Sequence, residues 1–187
     1  MIFRAVEDAD LIARVKRGDV EAFNVLISHW EKRVYNYLLR LTSHPDDSLD
    51  LSQDVFLKAY QNIRKLDDAA KFPSWLFRIA HNEAHSLFRK RKPEVDVNDP
   101  DFVERERAHG FSLDLTLAVS AALDRLNADQ REAVVLKVYQ GFKFEEIAEI
   151  LSCPVSTVKS RLYAAMDLLK NELAPNNATH VKAGGLR

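Results

Sequence analysis

Residues 144–173 read FEEIAEILSCPVSTVKSRLYAAMDLLKNEL, and this stretch decides the fold of the C-terminal part of the chain. Apolar residues recur at helical spacing in 144–151 and again in 155–173. The three residues between these segments, SCP, have the composition of a turn, because proline interrupts a helix. A short helix, a tight turn and a longer helix are typical of a helix-turn-helix.

The second of these helices begins with side chains suited to nucleic acid. Hydroxyl groups and cations contact phosphates and base edges, and a helix N-terminus itself favours phosphate. Five residues there are candidates for contact with DNA, and we expect nearly all of them to face outward: Ser156, Thr157, Lys159, Ser160 and Arg161. A helical hairpin with an ordinary solvated face is the alternative interpretation.

The N-terminal part also has helical periodicity. Residues 20–41 and 48–63 each place apolar side chains along one helical face, and a short helix is predicted near 8–17. A further helix is predicted from Pro73 to Lys92, since proline suits a first turn and the next proline, at 93, stops the helix. These segments predict a compact helical domain over residues 1–92.

Charge is segregated along a chain whose formal net charge is only −1. Residues 71–92 hold six Lys or Arg and one acid, and end in the run RKRK, whereas 93–110 hold six acids and two arginines. This pattern predicts a basic working surface followed by a flexible acidic linker over 93–111.

Helical periodicity resumes at 113–126, after the acidic segment. Asn127 with Gln130 then predicts a capping box opening a helix that ends at Gly141. We therefore expect a second domain over 112–173 and a disordered tail over 174–187.

The composition excludes several classes of protein. No apolar run is long enough to span a membrane, and the N-terminus lacks the apolar stretch of a signal peptide, so we expect a cytoplasmic protein. A single cysteine, Cys153, allows no internal disulfide. Five scattered glycines form no Gly-rich phosphate loop, and we expect no cofactor.

The segment HNEAH (81–85) places two histidines on one helical face, as zinc enzymes require. Zinc hydrolases of this pattern need a glutamate at position 82 or, in the reversed motif, at 84; these are asparagine and alanine. Glu83 points to nearly the opposite side, and no third ligand can be assigned. We therefore expect neither a metal site nor an enzyme, and a metallohydrolase is the weakest of the alternatives.

Three stretches carry a resemblance to a known family: DLSQDVFLKAY (50–60), FPSWLFRIAHNEAHSLFRKRK (72–92) and FEEIAEILSCPVSTVKSRLYAAM (144–166). Over residues 8–173 the chain resembles bacterial RNA polymerase sigma factors of the extracytoplasmic-function (group IV) type. The resemblance implies an all-α fold with two small helical domains, region 2 and region 4, joined by a flexible linker. It also implies a transcription initiation factor that binds core RNA polymerase and promoter DNA.

The resemblance assigns tasks to particular residues. Contact with the clamp helices of the largest polymerase subunit would involve Asp50, Gln53, Asp54 and Lys58. Contact with the −10 promoter element would involve Lys71, Arg78, Asn82, His85 and Arg89. The loop 65–72 and the helix after it would form a pocket for an extruded base, and the helix-turn-helix would read the −35 element and touch the polymerase flap.

Two positions depart from the family pattern. The family usually carries an acid at Leu49, on the edge of the polymerase contact, and most members carry an acid at His85. The family also implies an anti-sigma factor, often membrane-anchored. The remaining alternative is a stand-alone helix-turn-helix regulator, which would leave 50–61 and 75–82 without a purpose. Whether the two domains pack together is left open.

Overall fold

The computed structural model describes residues 2–90 and 121–173, with side chains from Asp8 onward. The predicted all-α fold is confirmed, since every regular element in these two ranges is helical. Several predicted features lie outside the described residues: the end of the basic run, the linker 93–111, the beginning of the helix at 113–126, and the tail 174–187.

Four α-helices form the N-terminal domain: α1 (Ile2–Lys16), α2 (Val20–Thr42), α3 (Pro45–Asn62) and α4 (Phe72–Lys90). Two short 3₁₀ turns, Ile63–Lys65 and Ala69–Lys71, connect α3 to α4.

The largest difference from prediction in the described part is that α1 begins at Ile2, six residues before the predicted start. In addition, α3 begins three residues earlier than predicted. Pro45 suits its first position, and the acids Asp46 and Asp47 favour the positive end of the helix dipole.

The C-terminal domain consists of helical residues 121–124, then α5 (Ala128–Val134), α6 (Phe144–Leu151) and α7 (Val155–Leu173). Helices α6 and α7 have the predicted bounds. The capping box is confirmed: Asn127 Oδ1 accepts from the Gln130 amide at 2.9 Å, and Gln130 Oε1 accepts from the Asn127 amide at 3.3 Å.

The helix that opens at Asn127 does not continue regularly to Gly141. Residues Val135–Tyr139 form a π-helical turn. Gly141 then adopts a φ of +76°, which a residue without Cβ adopts at little cost. This irregular end turns the chain sharply into α6.

The two domains pack against each other, which answers the question that the sequence left open. One apolar cluster runs through both, and Phe77 of α4 meets Phe142 with ring centroids 5.0 Å apart. On the other side, Phe77 packs edge-on against Tyr37 of α2 at 5.1 Å. Leu136 and Ile147 of the C-terminal domain are fully buried in the same cluster. Helix α6 consequently lies directly against α4.

Within the helix-turn-helix, Ile147, Leu151 and Val158 are buried in the same cluster, whereas Leu162 is buried in a separate apolar cluster of the C-terminal domain. None of the helices in the described ranges combines the length and the apolar character that crossing a bilayer requires.

Candidate nucleic-acid and protein interfaces

Helix α3 exposes a polar stripe formed by the residues to which the family resemblance assigns the polymerase contact. Asp50, Gln53, Asp54 and Lys58 are all exposed, and at 100° per residue they fall on one side of the helix. Lys58 Nζ lies 2.5 Å from a carboxylate oxygen of Glu83 on α4. Lys58 therefore ties α3 to α4 as well as contributing to the exposed surface.

An apolar groove of about 780 Å³ runs beside this stripe between α2 and α3. Leu49 and Leu57 form part of it and are 53% and 56% exposed, unusually high values for leucine. Phe23 and Tyr60 line it further, with ring centroids 4.9 Å apart. A groove of this kind fits the apolar face of a partner helix. The polar stripe depends only on the residue spacing within α3, whereas the groove forms only where α2 and α3 pack together.

The predicted −10 residues line one face of α4 and the turn before it. Lys71, Arg78, Asn82 and Arg89 are exposed, whereas His85 is half-buried. Lys71 Nζ lies 3.7 Å from a carboxylate oxygen of Glu149 on α6, so the C-terminal domain reaches the edge of this face.

A cavity of about 550 Å³ opens at the same place, at the start of α4. Its lining includes Asp68, Lys71, Trp75 and Arg78 from the N-terminal domain and Glu149 from the C-terminal domain. Trp75 is half-buried: it packs against the core, with its ring centroid 5.9 Å from that of Phe72, and it also lines this cavity.

A buried carboxylate joins the two domains next to the α4 face. Glu132 of α5 is only 2% exposed, and three side chains from the N-terminal domain contact it. His81 Nδ1 lies 2.8 Å from Oε1, His85 Nε2 lies 3.1 Å from Oε2, and the Tyr37 hydroxyl donates to Oε1. In the packed arrangement of the domains, His85 is therefore directed at Glu132.

The contacts around this carboxylate change the pKa values of Glu132, His85 and Tyr37. Burial pushes the pKa of Glu132 upward, but hydrogen bonds from His81 and His85 outweigh it and bring that pKa to about 2. The hydrogen bond to Glu132 raises the pKa of His85. Burial, followed by the charge of Glu132, raises the pKa of Tyr37 well above its usual value. Glu132 is consequently a stable anion between the domains.

Helix α7 presents most of the predicted −35 residues but not all. Ser156, Lys159 and Ser160 are exposed on one side, whereas Thr157 and Arg161 are half-buried. Arg161 is directed at α5, because its guanidinium lies 2.5 Å from Asp129 Oδ2. Position 161 is turned by about 100° from position 160 and faces α5.

The structure adds Tyr163 to the exposed side of α7. Tyr163 is 60% exposed and lies four residues after Lys159 and three after Ser160, on the same helical face. The helical spacing could have identified it. An aromatic ring with a hydroxyl group can contact both bases and phosphates.

Comparison with known proteins defines the class of this chain. Residues 26–94 match the model of Sigma-70 region 2, and residues 116–169 match that of Sigma-70, region 4. These matches cover the helical domain that carries the α3 and α4 surfaces and the domain that carries the helix-turn-helix. The chain is therefore a sigma-70-type factor.

Full-length relatives define the family more narrowly. The chain is 33% identical over 185 residues to the ECF RNA polymerase sigma-E factor of Haemophilus influenzae, an alignment covering 90% of this chain and 96% of that protein. It is 30% identical over 183 residues to the RNA polymerase sigma-H factor of Pseudomonas aeruginosa, covering 90% and 95%. The chain belongs to the ECF family of RNA polymerase sigma factors, which are promoter-directing transcription initiation factors and not enzymes.

Two solved structures share the fold. One is CnrH in complex with the cytosolic domain of CnrY, with a TM-score of 0.68, 26% identity, and coverage of 88% of this chain and 96% of that one. The other is the sigma factor RpoE in complex with the anti-sigma factor NepR from Bartonella quintana, with a TM-score of 0.67, 27% identity, and coverage of 82% and 98%.

Proposed function

We propose that this sigma factor binds core RNA polymerase through α3 and the groove beside it. The contact residues are Asp50, Gln53, Asp54 and Lys58, and the partner surface is the clamp helices of the largest subunit. The observation that carries this proposal is the exposed polar stripe beside exposed leucines, because such a combination suits a desolvated centre with a polar rim. Leu49 would extend the apolar centre where the family usually places an acid.

The −10 element would be read by the face of α4, with Lys71, Arg78, Asn82, His85 and Arg89 as contacts. Lysine and arginine would position phosphates, and Asn82 could pair with a base edge. The cavity beside Trp75 and Arg78 would hold an extruded base, which offsets the lost stacking energy of the melted strand.

The −35 element would be read by α7 through Ser156, Thr157, Lys159, Ser160 and Arg161. Arg161 could reach DNA only by leaving Asp129, whereas Lys159 is already exposed. The C-terminal domain would also touch the polymerase flap. In this proposal residues 1–92 and 112–173 are the functional domains, joined by the acidic linker 93–111.

Promoter binding would require the two domains to separate. The names of the two elements place them about 25 base pairs apart, roughly 85 Å along B-form DNA. Helices α4 and α6 lie in direct contact, and α5 holds His85 of the −10 face. The packed arrangement would therefore be a closed state that opens on the polymerase.

An anti-sigma factor is the proposed regulator of this protein, and it could be membrane-anchored. The support is that the two related structures are complexes, one with the cytosolic domain of CnrY and one with the anti-sigma factor NepR. The groove between α2 and α3 would accept a helix of such a partner. The sigma factor itself would act in the cytoplasm, where the polymerase is.

Paired charge variants test the separation of the two surfaces. Asp54→Lys should weaken binding to core RNA polymerase, measured by titration, while the isolated protein's weak affinity for −35 DNA stays unchanged. Lys159→Ala should do the reverse. Asp10→Lys on α1 and Lys170→Ala at the end of α7 are matched controls at exposed positions. If both test variants changed only DNA binding, the assignment of α3 to polymerase would be wrong.

A further inference from the structure

Three potential metal ligands from different domains converge between α4 and α5. His81 and His85 are one helical turn apart on α4, and Glu132 comes from the C-terminal domain. One ligand atom from each residue lies within 4.8 Å of the other two. The histidine pair alone provided two ligands at most, and the packing of the domains supplies the third.

The distances suit a small transition-metal ion. In a tetrahedral zinc site with bonds of about 2.0–2.1 Å, neighbouring ligand atoms are roughly 3.3 Å apart. His81 Nδ1 lies 2.8 Å from Glu132 Oε1, and His85 Nε2 lies 3.1 Å from Glu132 Oε2. These two contacts involve different oxygens of the carboxylate, and an ion would need to lengthen them by up to about 0.5 Å. It would also need to draw together the ligand atoms of the two histidines, which lie within 4.8 Å of each other. The two imidazole rings already adjoin, with centroids 4.2 Å apart.

The surroundings also resemble those of a metal site. The Tyr37 hydroxyl donates to Oε1 of Glu132 and so fixes the carboxylate, as the outer partners of metal ligands commonly do. The side chain of His85 is 38% exposed, so an ion could reach the cluster from solvent. Imidazole and carboxylate together are a donor set that Zn²⁺ accepts.

We propose that His81, His85 and Glu132 form a Zn²⁺ site that ties the two domains together in the closed state. The ion would replace the hydrogens that now link each imidazole to the carboxylate. Because two ligands lie on α4 and one on α5, opening the protein would remove a ligand from the ion. Zinc would then stabilise the closed state by mass action, in proportion to its difference in affinity for the two states.

The test uses the full-length, untagged protein after treatment with a chelator. Co²⁺ is the probe, since four-coordinate Co²⁺ absorbs strongly in the visible range, and Zn²⁺ should displace it. We expect one equivalent to bind. His85→Ala and Glu132→Gln should each weaken binding by at least about tenfold, and Tyr37→Phe by roughly 10–100-fold, as for outer partners of other sites. His44→Ala, at an exposed histidine before α3, is the matched control and should bind like the parent.

Hydrogen exchange measures whether the ion joins the domains. Zn²⁺ should slow amide exchange in peptides from both α4 and α5 of the parent protein, and in neither for Glu132→Gln. Absence of a one-to-one complex, or binding unaffected by His85→Ala, would overturn the proposal. Binding lost in His85→Ala but kept in Glu132→Gln would also overturn it, because the site would then belong to α4 alone. None of these readouts involves polymerase or promoter, so they are independent of the proposed function.

Discussion

Truncation of Phe142 should open the protein and strengthen its binding to core RNA polymerase, because the proposed function needs both domains on the polymerase: α3 at the clamp helices and the C-terminal domain at the flap. Phe142 is 4% exposed and packs edge-on against Phe77 of α4 across the domain contact. Phe142→Ala would remove this contact in the closed state only. Phe77 belongs to the same helix as the −10 face, so the substitution should free that helix without altering its DNA-contacting residues.

The expected gain in affinity for polymerase can be estimated from the burial of the Phe142 side chain. Removing a fully buried phenylalanine side chain costs about 3–5 kcal/mol, and Phe142 divides its contacts between its own domain and α4. If about half of the middle of this range, ~2 kcal/mol, belongs to the domain contact, the closed-to-open ratio falls about 30-fold. When the closed state dominates, the apparent affinity for a partner of the open state rises by the same factor.

The assay is a titration of labelled protein with core RNA polymerase in the presence of a chelator, so that no metal contributes. Leu162→Ala is the control, since Leu162 is buried within the C-terminal domain in a separate apolar cluster. The control should destabilise that domain without favouring the open state. If Phe142→Ala bound polymerase no more tightly than Leu162→Ala, the argument that domain packing opposes polymerase binding would be refuted.

Three smaller predictions concern single contacts. Asn127→Ala should lower the free energy of unfolding by about 1 kcal/mol, because the capping box is lost; thermal unfolding measures this, and no change would contradict the cap. Trp30→Phe should cost roughly 1.5–3 kcal/mol in chemical denaturation, since the Trp30 indole donates to Asp8 at 3.0 Å in a buried position. Lys71→Ala should leave stability within about 1 kcal/mol, because its ion pair with Glu149 is exposed. The same variant should weaken binding to −10 DNA, and a large loss of stability instead would give Lys71 a structural role.

The helices with strong local signals could be predicted closely from the sequence. Helices α6 and α7 have the predicted bounds because Pro154 and the residues before it fix the turn. The capping box at Asn127 is a short-range signal and was predicted with its partner. The start of α3 was predicted three residues late because apolar periodicity begins only after the proline and acids of the first turn. Apolar periodicity identifies the buried face of a helix, whereas the capping residues at the end of a helix show no such periodicity.

The contacts between domains could not be predicted in this way. Glu132 lies 47 residues from His85 and 51 from His81, within a helix whose pattern gives no sign of a buried anion. The pairing of Arg161 with Asp129 likewise depends on how α7 packs on α5. Such partners are set by tertiary packing, and no local rule links them. The polar stripe of α3 was predictable because it needs only the spacing within one helix.

The groove between α2 and α3 stays exposed in the closed molecule, whereas the −10 face of α4 is partly covered. A helical inhibitor that uses only the groove would bind the protein as it stands. Polymerase and promoter together would first have to separate the domains, and the free energy of this separation lowers their apparent affinity for the protein. In a competition between inhibitor and polymerase, the closed state therefore favours the inhibitor. The stronger the contact between the domains, the lower the concentration of free inhibitor must become before transcription begins.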